Sequence, residues 1–109
     1  MKICMIGTGY VGLVSGTCFA DLGNKVYCVD KDKTKINKLN NSISPIYEPA
    51  LDDLINNNLK SKRLSFTDNV EKAVRESQII FICVGTPTKQ NSNLVDLSQV
   101  YKVAKLISR

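Results

Sequence analysis

The chain has 109 residues, enough for one compact domain that buries roughly two-thirds of its unfolded surface and too few for two. Hydrophobic residues make up 43% and charged residues 23%, ordinary globular proportions that exclude a disordered chain, and no apolar run approaches the ~18 residues of a membrane-spanning helix. Fifteen Lys and Arg against ten Asp and Glu leave +5, but only Lys31, Lys33, Lys35, Lys38 and the trio Lys60, Lys62, Arg63 are local, and no aromatics interleave them, so a solvated basic face is expected and not a nucleic-acid surface.

Lys2 to Ile6 reads as a short apolar strand followed at once by glycines at 7, 9 and 12. Val11, Val14, Cys18 and Leu22, with Leu13 and Phe19 beside them, recur at helical spacing and predict an apolar inner stripe that Gly23 and Asn24 terminate. Lys25 to Val29 is a second strand ending at Asp30, and a second helix is expected from about Asp32 to Asn40, with Ile36 and Leu39 inward. Pro49 suits the first position of a third helix, where its fixed φ is helix-compatible; Leu51, Leu54, Ile55 and Leu59 supply its stripe, and Asp52 and Asp53 favour its positive end.

Leu64 to Phe66 is expected to be a strand, with Thr67 or Asp68 capping a small helix that holds Val70, Ala73 and Val74. Gln78 to Val84 is a continuous apolar run, the pattern of a strand covered on both faces and hence central in its sheet. Gly85 to Asn93 reads as a loop, and a last helix starts near Asp96. Strands alternating with helices predict a parallel α/β sheet with right-handed crossovers.

The four cysteines form no Cys-x-x-Cys pair and no histidine is present to complete a zinc site, so no metal site is expected. Cys4, Cys28 and Cys83 fall in strand-like runs and Cys18 on the expected inner face of the first helix, which points to reduced structural thiols and a reducing compartment. The opening Met-Lys enters a strand without the apolar stretch of a secretory signal, so a cytoplasmic location is expected.

Gly7-Thr8-Gly9-Tyr10-Val11-Gly12 is a Gly-x-Gly-x-x-Gly that directly follows a strand and opens a helix, and the next strand ends in Asp30, eighteen residues past the third glycine. Gly7 allows the sharp turn, Gly9 lets the backbone approach a pyrophosphate, and Gly12 lets helix and sheet pack closely. The helix N-terminus then faces phosphates, and Asp30 accepts from ribose hydroxyls while repelling a 2′-phosphate, so NAD is favoured over NADP. Lys31 and Lys35 temper that preference, since a cation can hold a 2′-phosphate. The alternative for the same residues is a packing turn with Asp30 capping the second helix.

Four segments, Met1 to Leu22, Val26 to Asp30, Pro45 to Leu51 (PIYEPAL) and Phe81 to Thr88 (FICVGTPT), together with Asp96-Leu97-Ser98, resemble the UDP-glucose/GDP-mannose dehydrogenase family. The resemblance implies an NAD-binding, Rossmann-like doubly wound parallel sheet with helices on both faces, truncated before the last strands and occupying residues 1–109 as a single domain. It also implies a parent oxidoreductase that converts the C6 alcohol of a nucleotide sugar to a carboxylate with two molecules of NAD. By motif position, Tyr10 and Val11 would meet the cofactor diphosphate through their backbone, Asp30 and Lys35 would hold the adenosine ribose side, and Thr86 would line the cofactor cleft. The Tyr10 side chain itself is expected to be a packed aromatic.

PIYEPAL is most similar to the UDP-glucose branch, where Tyr-Glu-Pro-Gly-Leu is usual; Ala50 replaces that glycine, a harmless change unless the position needs a positive φ. Glu48 either orients the helix at Pro49 or meets substrate. The GDP-mannose and UDP-N-acetylmannosamine branches carry similar segments, and a stand-alone, non-catalytic nucleotide-binding module is a further alternative. The family's catalytic cysteine belongs to segments beyond residue 109, so no catalytic residue is expected here, nor turnover by this chain alone; the complete enzyme is expected to be a homodimer.

Overall fold

The computed structural model describes residues 1–44, 48, 50–84, 104, 105 and 107. The described elements, in chain order, are β1 (Lys2–Ile6), α1 (Tyr10–Asp21), β2 (Lys25–Val29), α2 (Lys33–Asn40), α3 (Leu51–Lys60), β3 (Leu64–Thr67), α4 (Val70–Arg75) and β4 (Ile79–Ile82). Thr86, the expected loop from Gly85, most of the helix expected from Asp96 and Pro49 lie outside the described residues, although Ala104, Lys105 and Ile107 are helical.

The sheet has the order β3-β2-β1-β4 and every pairing is parallel, with Lys2 opposite Lys25, Ile3 opposite Ile79 and Val26 opposite Leu64. The chain starts in the interior, steps outward through β2 to β3, then crosses to the far side of β1. The direction of winding therefore reverses between β1 and β4, and the crevice beyond their carboxyl ends is where parallel sheets take up ligands.

Strand alternation sends successive side chains to opposite faces. Ile3, Met5, Val26, Cys28, Leu64 and Phe66 form one core with Leu13, Ala20, Ile36, Leu39, Leu51 and Ile55 of the first three helices. Cys4, Ile6 and Val29 form the other with Ala73 of α4, flanked by Tyr27, Ile80, Val84 and Ile107. Helices thus cover both faces, as a doubly wound fold requires.

The buried stripe of α1 is Gly12, Leu13, Gly16, Thr17 and Ala20; Leu13 and the half-buried Val14 and Phe19 meet the core as expected, whereas Val11, Cys18 and Leu22 do not. Val11 is 64% and Leu22 80% exposed, and Cys18 is exposed as well. At two points the helix lies so close to the sheet that no side chain fits beneath it. A Cβ on Gly12 would overlap the Gly7 carbonyl oxygen, and one on Gly16 would sit 2.8 Å from Cys28 Sγ and 3.1 Å from Met5 Cγ. Gly16, outside the glycine motif, extends the same close approach by one helical turn.

Three further expectations are corrected. The small helix α4 is capped by Asn69, whose side chain accepts from the Lys72 N–H at 3.2 Å, while Thr67 Oγ accepts from the Asn69 N–H instead of capping the helix. Second, β4 pairs only with β1 among the described residues and forms the edge of the described sheet, with Phe81 39% exposed and stacked on Phe19 at 5.6 Å between ring centroids. Its apolar run reflects a strand ready to be covered on both faces, a state the described residues reach on the α4 side, where Ile80 packs. Third, α3 begins at Leu51, with Ala50 as its N-cap at φ 64°.

That left-handed Ala50 overturns the reading of the alanine as harmless. A Cβ in this region costs roughly 1–2 kcal/mol, which exceeds the ~0.5–1 kcal/mol of chain entropy that alanine saves over glycine. Replacing Ala50 by glycine is therefore expected to stabilise the fold by about 0.5–1 kcal/mol and raise Tm by about 2–6 °C. Gly16→Ala is expected to do the reverse, losing about 1–2 kcal/mol through overpacking against Cys28. Thermal unfolding of the two variants checks both signs.

Candidate functional site

At the carboxyl end of β1 the backbone turns at Gly7, φ 105°, where a side chain would collide with Cys83 at the end of β4. Two bonds fix the turn to its neighbours: the Gly7 N–H donates to the Val29 carbonyl at 2.7 Å, and the Cys83 N–H donates to the Ile6 carbonyl at 2.7 Å. Gly9 then caps α1 in extended backbone and its carbonyl accepts from the Leu13 N–H at 2.9 Å. A Cβ on Gly9 would meet nothing within 4 Å, so the space in front of this peptide is open.

The N-terminus of α1 differs from those of α2 and α4. Asp32 and Asn69 cap α2 and α4 through their side chains, whereas no side chain caps α1 and its first turn carries no acidic residue. A helix start of this kind presents its N–H groups and its positive end to an anion. Tyr10 and Val11 stand at that start with their side chains in solvent, Tyr10 at 57% exposure, so Tyr10 is not the packed aromatic expected. What these two residues offer a ligand in the turn is their backbone.

Asp30, directly beyond β2, faces the turn. Its Oδ2 accepts from Thr8 Oγ at 2.6 Å and from the Thr8 N–H at 3.2 Å, and lies 3.6 Å from Lys35 Nζ. Its Oδ1 accepts from the Asp32 N–H at 3.0 Å. Burial raises the Asp30 carboxyl, but the Thr8 hydroxyl, the Asp32 and Thr8 N–H groups and the Lys35 charge together outweigh it and hold the group below the usual carboxylate range. Because the native value lies below the unfolded one of ~3.9, this contribution to stability is present above about pH 4 and is lost as pH falls through the native value.

Gly7, Gly9, Tyr10, Val11, Gly12, Asp30 and Lys35 are thus gathered at the carboxyl ends of β1 and β2; Thr86 lies outside the described residues. The reading of Asp30 as a helix cap fails, because Asp32 caps α2 by accepting from the Lys35 N–H at 3.2 Å. Glu48 does not cap α3 with its side chain either. Its Oε2 accepts from the Tyr10 hydroxyl at 3.4 Å, which brings Glu48 against the glycine turn. Sequence reasoning missed Thr8, which is fully buried; the available signal was a hydroxyl between the first two glycines.

Among the described residues no cluster of three or more His, Cys, Asp or Glu could hold a metal, and no helix is long and apolar enough to cross a membrane. The four thiols are unpaired. Burial pushes Cys4 up to about 11 and Cys28 higher still, the latter reinforced by its neighbours Cys4 and Cys83, and partial burial raises Cys83. Such thiols stay protonated at neutral pH and are poor nucleophiles.

A glycine turn at the switch point, an uncapped helix start and an ionised aspartate one strand over define a dinucleotide-binding α/β domain. Residues 1–109 match the NAD binding domain of the UDP-glucose/GDP-mannose dehydrogenase family, and the chain belongs to that family. Its cofactor is NAD, and the open space before Gly9 and the acceptor-rich Asp30 fit that molecule. The chain is 54% identical to the UDP-glucose 6-dehydrogenase of Rhizobium meliloti over 108 residues, covering 99% of this chain and 25% of that protein. It is also 54% identical to UDP-glucose 6-dehydrogenase TuaD of Bacillus subtilis over 106 residues, 97% of this chain and 23% of that protein.

Among solved structures, a GDP-mannose dehydrogenase from Pseudomonas aeruginosa superposes with a TM-score of 0.94 at 42% identity, covering 98% of this chain and 24% of that one. A UDP-glucose dehydrogenase from Pyrobaculum islandicum gives 0.91 at 36% identity over 98% and 24%. The chain therefore spans about a quarter of the length of these relatives.

Thiol labelling tests the reassigned cysteines. At pH 7 the native chain is expected to react rapidly at Cys18 and slowly at Cys83, with Cys4 and Cys28 protected until denaturant is added. Mass mapping of the alkylated peptides reads the order, and rapid native labelling of Cys28 would contradict the packing of α1.

Proposed function

We propose that residues 1–109 act as one domain, the part of a nucleotide-sugar dehydrogenase that grips the adenosine and diphosphate of NAD, and that the complete enzyme oxidises UDP-glucose to UDP-glucuronate. The observation that carries the cofactor reading is the Asp30 carboxylate, fixed and ionised at the end of β2 beside the glycine turn. The UDP-glucose branch is supported by 54% identity to two UDP-glucose 6-dehydrogenases. The structural likeness to a GDP-mannose dehydrogenase at 42% identity supports a second reading, in which the sugar nucleotide is GDP-mannose.

In this reading Gly7 makes the turn, Gly9 leaves room for the diphosphate, the backbone of Tyr10 and Val11 receives it, and Gly12 lets the helix pack close to the sheet. Asp30 accepts from the adenosine ribose hydroxyls and its charge disfavours a 2′-phosphate; Lys35 keeps that carboxylate ionised and flanks the ribose. Thr86 is assigned to the cofactor by its motif position alone. Bound NAD supplies the hydride acceptor. None of the four cysteines serves as nucleophile, so substrate oxidation uses residues outside this chain, and the complete enzyme works as a cytoplasmic homodimer.

Calorimetric titration of the chain with NAD and NADP tests the cofactor reading. NAD is expected to bind more tightly than NADP, and Asp30→Asn is expected to weaken NAD about 10- to 100-fold, the equivalent of about 1.5–3 kcal/mol for hydrogen bonds to a charged group. Equal NAD affinity in the variant would remove Asp30 from the site. For the substrate, kcat/KM of the full-length protein with UDP-glucose and with GDP-mannose decides between the two branches.

A further inference from the structure

We propose that Thr8 is the positioning residue of the cofactor site: its buried hydroxyl holds one Asp30 oxygen so that the other is presented to the ribose. The inference rests on the reading of Asp30 as the ribose acceptor and adds a residue which that reading does not use. An ionised carboxylate has about four acceptor sites on two oxygens. Here the donors are divided unequally between them. Oδ2 takes Thr8 Oγ at 2.6 Å, the Thr8 N–H at 3.2 Å and Lys35 Nζ at 3.6 Å. Oδ1 takes the Asp32 N–H at 3.0 Å. Oδ2 is thereby committed to the protein, and acceptor capacity toward a ligand remains on Oδ1.

The hydroxyl is suited to the task because Thr8 is fully buried. A buried hydroxyl without a partner costs ~1–3 kcal/mol, so the bond to Asp30 is favoured by about that much over an unpaired hydroxyl. A β-branched side chain is also stiff at χ1, which fixes the hydroxyl direction. The other charged groups on this side are engaged elsewhere or point away. The Asp32 carboxylate accepts from the Lys35 N–H at 3.2 Å, Lys33 pairs with Asp68 at 3.9 Å, and Lys31 is exposed. At the end of β3, Thr67 contributes its carbonyl to the Asp30 N–H at 3.1 Å. Thr8 and Lys35 are therefore the groups that orient the side chain through Oδ2.

Three variants of the chain, Thr8→Val, Thr8→Ser and Asp30→Asn, test the proposal with two readouts. The first is the carbon-13 titration of the Asp30 carboxyl in the cofactor-free protein. Thr8→Val is expected to move its midpoint upward and Thr8→Ser to restore it. The second is the NAD dissociation constant at pH 7, expected to rise about tenfold in Thr8→Val, as for the loss of one hydrogen bond to a charged group, and to return to within about threefold in Thr8→Ser.

An unchanged Asp30 midpoint and unchanged NAD affinity in Thr8→Val, alongside weakened binding in Asp30→Asn, would overturn the role of Thr8 and leave the Asp30 reading intact. Full NAD affinity in Asp30→Asn would overturn the reading itself. If Thr8→Val does not fold, the unmodified chain decides. A slowly exchanging Thr8 hydroxyl proton close to Asp30 is expected in its NMR spectrum, and a freely exchanging one would overturn the proposal.

Discussion

The contact between α1 and the sheet is so close that Gly12 and Gly16 must lack side chains, and the rest of the site depends on it. Gly12 passes over the Gly7 carbonyl, and Gly16 lies over Cys28 and Met5. With the helix pressed down at both points, its first turn projects into the crevice between the ends of β1 and β4. Gly7 in turn bonds to Val29 at the end of β2, directly before Asp30. One packing constraint therefore places the helix start and the aspartate relative to each other. A larger residue beneath α1 would lift both the phosphate cradle and the ribose acceptor out of register.

Within that frame the electrostatics are local. No side chain caps the positive end of α1 and its first turn carries no acidic residue, and the fixed negative charge on the β2 side is committed to Thr8, Lys35 and the Asp32 amide. An uncapped helix start and an ionised acceptor side by side suit a ligand that carries a diphosphate at one point and a free ribose diol at another. The buried thiols stand outside this arrangement, protonated inside the two cores. Binding chemistry and core packing use different residues, except at Thr8, whose buried side chain serves the site from beneath.

Much of this was legible in the sequence. Both β1 and β2 have the bounds read from their apolar runs, because each run ends abruptly in a glycine or an aspartate. Gly7, Gly9, Gly12 and Asp30 were legible for a related reason, since their spacing is set by the length of one helix and one strand. The inward face of α1 was legible only in part, at Leu13 and the half-buried Val14 and Phe19. Hydropathy periodicity favours bulky residues such as Val11 and Leu22, whereas a helix packed this closely buries glycine, alanine and threonine. The cost at Ala50 depends on φ, which residue type alone does not reveal. The edge position of β4 among the described residues follows from pairing, not from composition, and Thr8 carries no motif because its contact with Asp30 arises only when the turn folds.

In the proposed function the glycine turn and Asp30 grip NAD together. A crystal structure of the chain with NAD bound tests it most directly. Adenosine ribose hydroxyls are expected within about 2.5–3 Å of the Asp30 carboxylate, in the range of charge-assisted hydrogen bonds, and the diphosphate against the backbone N–H groups at Tyr10 and Val11. An adenosine ribose bound elsewhere, with Asp30 still engaged only by Thr8, Lys35 and the Asp32 amide, would contradict it.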